Sequence, residues 1–181
     1  MEGVDGNFYG TTSKGGTSGF GTVFKISPTG LFTLLVSFEN ADGHNPSAAL
    51  IVGSDGNFYG TTPSGGTLNA GTVFKVTPAG TLTTLASLDN AAGLYPSGVI
   101  QGNDGNFYET AAAGGNEGAG TVFKVTPAGV LTRVVSFTTT TAGDPKTPLA
   151  LGSDGNFYGQ PPSAARNQPL APVRVQESYS S

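Results

Sequence analysis

The chain has no cysteine and no tryptophan, and it has a single histidine and a single methionine among 181 residues. Without cysteine there are no disulfides and no thiolate metal ligands, so packing alone must hold the fold. Only 11% of the residues are charged, and the eight basic residues do not cluster, which argues against a nucleic-acid surface. No apolar run approaches the length of a membrane span, so none is expected.

Glycine, in contrast, is abundant, with 29 residues. A disordered linker can be equally rich in glycine. Here, however, 36% of the residues are hydrophobic and the formal net charge is only −4, which argues against disorder caused by weak hydrophobicity and strong self-repulsion. Glycine at regular intervals instead predicts many tight turns between short strands, as in all-β proteins.

A repeat of about fifty residues organises the chain. Its first block, Asp-Gly-Asn-Phe-Tyr, begins at Asp5, Asp55, Asp104 and Asp154. The first three copies are followed by a Gly-Thr-Val-Phe-Lys block, which begins at Gly21, Gly71 and Gly120. A Pro-x-Gly turn comes next, beginning at Pro28, Pro78 and Pro127.

Each repeat holds four strand candidates, A to D, separated by turn signals. Examples are 97–101 for A, 106–108 for B, 72–76 for C and 82–86 for D. The adjacent Phe and Tyr of each strand B point to opposite faces of a sheet, so both faces are expected to be covered. Strand A is rich in small residues, as suits a crowded central axis. We therefore predict an all-β propeller of three to four four-stranded blades rather than a β-solenoid.

The string Gly-Ser-Asp-Gly-Asn-Phe-Tyr-Gly-Thr-Thr, followed by Gly-Gly and by Gly-Thr-Val-Phe-Lys-Val-Thr-Pro-Ala-Gly, resembles the GloVer (Gloeobacter/Verrucomicrobia) tandem repeat. It is also similar to the blades of NHL-type and streptogramin lyase-like propellers. The resemblance covers residues 5–160 and implies a propeller fold and an extracellular or cell-surface location. It implies no particular activity, because GloVer repeats have no established chemistry.

The repeats are expected to form one domain over 1–160, with a divergent tail over 161–181 that contains a degenerate strand at 171–176. No strand A is predicted before Asp5, so the ring is expected to be incomplete. Either the chain is part of a larger propeller, or copies of it self-associate to complete a ring. The N-terminus shows no signal peptide.

In a propeller, the A–B and C–D turns emerge on one face, and the B–C and D–A loops emerge on the other. The B–C and D–A loops vary between these repeats, which makes them the natural place for a site. Candidate ligand contacts there are Asn45, Tyr95, Asn116 and Glu117, the tyrosine by stacking and the others by hydrogen bonding. We therefore expect a non-catalytic binding or scaffold module for a glycan or a protein, with no cofactor and no metal.

The alternative is a partial or degenerate lyase- or hydrolase-like enzyme with a divalent metal near Asp42, His44 or Asp144. A catalytic triad would need an assembled nucleophile, base and carboxylate, and nothing marks which serine would serve. The four recurrent aspartates are interpreted as caps of their own turns rather than as calcium ligands. One carboxylate per turn supplies too few oxygens for calcium.

Overall fold

The computed structural model describes residues 1–139 and 143–159. Its regular structure is β-strand, apart from one 3-10 turn at Asn40–Asp42. The strands are β1 (Phe8–Thr12), β2 (Thr22–Ile26), β3 (Phe32–Ser37), β4 (Ile51–Val52), β5 (Phe58–Thr62), β6 (Thr72–Val76), β7 (Leu82–Ser87), β8 (Leu94–Pro96), β9 (Ile100–Gln101), β10 (Phe107–Ala113), β11 (Thr121–Val125), β12 (Leu131–Ser136), β13 (Ala150–Leu151) and β14 (Phe157–Tyr158). No helix within the described ranges is long and apolar enough to cross a membrane.

The strands form antiparallel sheets that follow one another along the chain, and we call these sheets the first to fourth blades. The first blade contains β1, β2 and β3, and the second has the order β4-β5-β6-β7. In the third blade β12, β11 and β10 are neighbours, and both β8 and β9 pair with β10. The fourth blade begins with the pair β13 and β14. The predicted all-β architecture of repeated blades is confirmed.

The Asp-Gly-Asn turn of each repeat is held by its aspartate. Asp55 Oδ1 accepts the backbone N–H of Asn57 at 3.1 Å, and its Oδ2 accepts the Asn57 amide at 2.7 Å and the Tyr59 hydroxyl at 2.8 Å. Burial alone would raise the pKa of Asp55, but the bonds from Asn57 and Tyr59 outweigh it and keep that pKa below its usual range. The same bonds confirm the turn-cap interpretation for Asp5, Asp104 and Asp154.

The blades stack through the aromatic pair of the repeat. The tyrosine of one blade lies on the phenylalanine of the next, and no ring in these pairs is more than 2% exposed. The ring centroids are 3.9 Å apart in Tyr9–Phe58, 4.0 Å in Tyr59–Phe107 and 4.3 Å in Tyr108–Phe157. Consecutive side chains point to opposite faces of a strand, so one Phe-Tyr pair reaches both neighbouring blades. The second and third blades are therefore covered on both faces, as predicted.

The innermost segments of successive blades converge on a common axis. A Cβ added to Gly98 would lie 3.2 Å from the Cβ of Ala48 and 3.5 Å from the Cγ of Pro148, so three blades meet at this point. Close by, the Thr110 hydroxyl of the third blade donates to the Thr147 carbonyl at 2.9 Å, at the entrance to the fourth. Small residues are required here because the backbones approach one another closely.

The innermost strand of the third blade differs from its prediction. The sequence predicts a continuous strand over 97–101, but the chain forms β8 and β9 with residues 97–99 between them. β8 pairs with Ala111 and Ala113, whereas β9 pairs with Phe107 and Tyr108. The prediction of a continuous strand over 97–101 is therefore wrong. The side chain of Glu109 lies between β8 and β9 and interrupts the strand.

The chain before Asp5 forms no strand, as predicted, but it is bonded to β1. Glu2 forms a bridge with Phe8, and Met1 and Tyr9 exchange two hydrogen bonds of 2.8 Å, from the Met1 ammonium to the Tyr9 carbonyl and from the Tyr9 N–H to the Met1 carbonyl. The first blade thus has a short innermost segment, although this segment is not a strand. The predicted boundary at 160, the tail over 161–181 and the strand at 171–176 lie outside the described residues.

Candidate functional site

The B–C and D–A loops lie side by side on one face of the propeller. The Asn40 carbonyl accepts the Gly66 N–H, and the Asn90 carbonyl accepts the Gly115 N–H, each at 2.8 Å. The first two D–A loops are thereby each bonded to the B–C loop of the blade that follows. The loops that vary most between repeats consequently form one surface, which is where the sequence places a site.

Three residues occupy the same position where successive D–A connections end, and we call them the arc: Asn45, Tyr95 and Asp144. All three are exposed, and each directly precedes a proline. Tyr95 belongs to β8, whereas Asn45 and Asp144 lie outside the strands. Their φ angles are 60°, 58° and 54°, so all three have a left-handed backbone. The innermost segments meet at Ala48, Gly98 and Pro148, three to four residues after the arc. Two predicted contacts, Asn45 and Tyr95, are thus equivalent positions of neighbouring blades.

Tyr95 is the unusual member of the arc. Asparagine and aspartate tolerate a left-handed backbone, but for a bulky side chain it is an outlier that costs about 1–3 kcal/mol. The ring of Tyr95 is not buried to offset this cost, since the residue is 56% exposed. Strained residues of this kind concentrate at binding sites, where the strain is part of how the site is held ready.

Polar groups flank Tyr95 along the arc. The Asn45 amide nitrogen lies 3.1 Å from His44 Nδ1, a contact that orients the amide. The Asp144 carboxylate lies 2.9 Å from the Lys146 ammonium, in a pair whose side chains are 57% and 74% exposed. Such an exposed pair contributes little to stability, so its charges remain accessible to a ligand. The arc therefore has one aromatic residue, with an amide and a carboxylate at the equivalent positions of the preceding and following blades.

The other two predicted contacts, Asn116 and Glu117, are bonded elsewhere on this face. The Asn116 N–H donates to Ser136 Oγ at 2.9 Å. Glu117 Oε2 accepts from the Thr139 N–H at 3.1 Å and from the Thr139 hydroxyl at 3.4 Å. These bonds tie the B–C loop to the end of β12, the outermost strand of its blade. The structure therefore does not join Asn116 and Glu117 to the arc.

The residues considered for a metal-dependent enzyme are each engaged separately. The His44 ring stacks on Phe20 with centroids 5.2 Å apart. Asp42 Oδ2 accepts the Glu39 N–H at 3.3 Å, which caps the 3-10 turn. Within residues 1–139 and 143–159, no group of three or more histidine, aspartate or glutamate side chains is placed to hold a metal ion.

A buried carboxyl group, Glu109, lies between the second and third blades. Its Oε1 accepts the Gly98 N–H at 2.5 Å and the hydroxyl of Thr61, from the second blade, at 3.3 Å. Its Oε2 is buried without a hydrogen-bond partner. Burial raises the pKa of Glu109 to about 8, although the bonds from Gly98 and Thr61 act in the opposite direction. By bonding Gly98, Glu109 anchors the segment that continues directly from Tyr95.

Three departures from the repeat occur together at Glu109. The innermost segment of its blade is one residue shorter between Pro96 and Ile100 than the same segment of the second blade. Val99 stands where the second blade has the larger Leu50. Both changes provide room for a side chain at a position that is glycine in the other repeats: Gly10, Gly60 and Gly159. The shortened spacing is the sequence signal that marks this residue.

The family model of the Gloeobacter/Verrucomicrobia repeat matches residues 1–168. No curated protein matches the chain. Among solved structures, the fold is similar to the X-ray structure of a presumed gluconolactonase, with a TM-score of 0.53 and 14% identity over 79% of this chain and 49% of that one. This likeness concerns the fold alone, and the chain spans about half the length of that protein. Since the family model covers most of its length, the chain belongs to the Gloeobacter/Verrucomicrobia repeat family.

Proposed function

We propose that this protein is a non-catalytic binding module of a secreted or surface repeat protein, and that its arc binds a glycan. Tyr95 carries the proposal, because it combines an exposed ring with a left-handed backbone. A residue held in this way is available for a ligand without further rearrangement, which lowers the entropic cost of binding.

The chemistry of the arc suits a sugar better than a protein surface. A sugar ring presents an apolar C–H face and a rim of hydroxyl groups. Tyr95 supplies an aromatic surface for the C–H face, while Asn45 and Asp144 supply an amide and a carboxylate for the hydroxyls. A protein partner would be favoured by several aromatic anchors in an apolar patch, whereas the arc has one aromatic residue.

The enzymatic alternative makes a different prediction. A lyase- or hydrolase-like propeller would turn over a substrate, would require a divalent metal, and would lose activity on substitution of Asp42, His44 or Asp144. A binding module would retain its ligand unchanged. The two functions are therefore separated by whether a product appears.

Binding to an array of immobilised oligosaccharides, followed by calorimetric titration of those retained, tests the proposal. Tyr95→Asn places at this position the residue found at Asn45, which tolerates the left-handed backbone but lacks the ring. We expect at least a tenfold loss of affinity, equivalent to about 1.4 kcal/mol. Val130→Asn is the matched control, because Val130 is 59% exposed in a C–D turn on the opposite face. Its affinity should be unchanged.

Two results would contradict glycan binding by the arc. One is that no oligosaccharide is retained, and the other is that Tyr95→Asn binds as tightly as the unmodified chain. Metal-dependent release of a product from a lactone or an oligosaccharide would favour the enzymatic alternative instead.

A further inference from the structure

The first blade presents an apolar sheet face that no described residue covers. Five side chains form this surface, which we call the open face: Phe8, Phe24, Ile26, Phe32 and Leu34. Cross-strand pairing aligns Phe8, Ile26 and Phe32 in one row, and Phe24 and Leu34 in the next. Phe8 is 47% exposed, Phe32 57% and Leu34 49%. None of the five residues carries a charge, but Glu2, which bridges to Phe8, is exposed and continues the first row on the innermost segment with a carboxylate.

The second blade shows what becomes of these positions when a neighbour is present. Phe58 and Phe74, which correspond to Phe8 and Phe24, are 2% and 0% exposed. They lie in one core with Tyr9 and other residues of the first blade. The open face is thus the surface that the repeat normally buries.

The open face is also more apolar than a contact between blades requires. Leu34 corresponds to Thr84 in the second blade and to Arg133 in the third. Phe32 corresponds to a leucine in both. A regular blade contact therefore tolerates a polar or charged residue where the open face has Leu34. We therefore expect the surface that covers the open face to be apolar beside Leu34 as well. The open face of a second copy is apolar at that position.

We propose that two copies of this chain pair through their open faces about a two-fold axis. A two-fold contact requires a self-complementary patch, which the five apolar side chains provide. The Glu2 carboxylate at the inner end of the first row then lies at the rim of the contact, in water, so that no unpaired ion is buried. The exposed parts of Phe8 and Phe32 amount to about 100 Å² each, so the contact buries on the order of 1,000 Å² in total once both copies and the rim are included. An interface of this size gives a reversible dimer rather than a permanent one.

Sedimentation of the full chain over a wide concentration range tests the proposal. We expect a reversible dimer. Leu34→Arg introduces the residue that the third blade carries at this position, so the fold tolerates it, but two arginines then face each other across the axis. Association should weaken at least tenfold. Leu34→Thr, with the residue of the second blade, should weaken it in the same direction without adding a charge. Leu68→Arg is the matched control, at a position that is 67% exposed in a B–C loop, and should dimerise normally.

Crosslinking distinguishes this dimer from a head-to-tail completion of the ring. The chain has no cysteine, so Leu34→Cys introduces a single thiol. A two-fold contact through the open face predicts that a short bismaleimide joins two such thiols and yields dimers only. The proposal is overturned by a monomer at every concentration, by a dimer that Leu34→Arg does not weaken, or by growth into species larger than the dimer.

Discussion

Replacing Glu109 by glutamine should remove a pH dependence of stability that the unmodified chain shows in the neutral range. Glu109 is fully buried, with Oε1 bonded to Gly98 and Thr61 and with Oε2 unbonded. Burial raises its pKa from 4.5 to about 8, so the folded chain keeps this proton at pH values where the unfolded chain has lost it. The resulting stabilisation is complete below the ordinary pKa and is lost as the pH rises through the folded pKa.

The magnitude follows from the size of the pKa shift. One pKa unit corresponds to about 1.4 kcal/mol, so the free energy of unfolding should fall by up to about 3 kcal/mol between about pH 5.5 and about pH 8. The aspartates of the four turns have lowered pKa values and stay ionised across this window, so they do not add to the change. The pair of Lys146 with Asp144 is exposed and contributes little.

The assay is urea-induced unfolding at both pH values, followed by circular dichroism. Glu109→Gln preserves the side-chain shape and the two bonds to Oε1, but it has no proton to lose. At about pH 5.5 it should match the unmodified chain to within about 1 kcal/mol, and at about pH 8 it should be the more stable protein. Subtracting the two free energies of unfolding removes the contributions of the other titrating groups, which both chains share. Equal pH dependence in both would refute the conclusion that the fold holds Glu109 protonated.

Substitutions at other positions should change the free energy of unfolding in the same assay. Tyr95→Asn should raise the free energy of unfolding by about 1 kcal/mol, because asparagine tolerates the left-handed backbone; a loss of stability would show that the ring forms stabilising contacts. Gly93→Ala should lower it by about 2 kcal/mol or more, because the added Cβ would collide with side chains of β10 and β11. Gly105→Ala, where no atom lies within 4 Å of the added Cβ, should cost only about 1 kcal/mol, and equal losses at the two glycines would contradict the packing. Asp55→Asn should cost about 1–2 kcal/mol at neutral pH. This substitution should also make the loss of stability on acidification smaller. The lowered pKa of Asp55 stabilises the fold at pH values above the ordinary pKa of an aspartate, and asparagine lacks this contribution; an unchanged acid transition would contradict the prediction.

The fold could be predicted because local signals recur in the same order in each repeat. The Asp55-Gly56 turn, the adjacent Phe58 and Tyr59, and the strand 72–76 each correspond to a feature of the structure. Two neighbouring aromatic residues in every repeat require a cover on both faces of the sheet, which favours stacked blades. By contrast, Met1–Gly3 forms part of the first blade through only a few backbone bonds, and so short a segment has no periodicity to reveal it.

The site could be predicted only in part, because it depends on conformation as well as composition. Loop variability selects Asn45 and Tyr95, but it does not reveal that both have a left-handed backbone or that Asp144 repeats the arrangement. The same variability selects Asn116, whose loop is bonded to β12. Glu109 replaces a glycine within a strand, and its importance emerges only when the shortened segment before it is placed beside it in space.

The binding of a glycan by the arc is tested most directly by amide chemical shifts recorded while the best-retained oligosaccharide is titrated into the full chain. An arc that binds the sugar predicts saturable shift changes at Asn45, Tyr95 and Asp144, with none at Gly56 and Gly105 in the turns of the opposite face. Changes confined to those turns, or the absence of any change at saturating sugar, would contradict it.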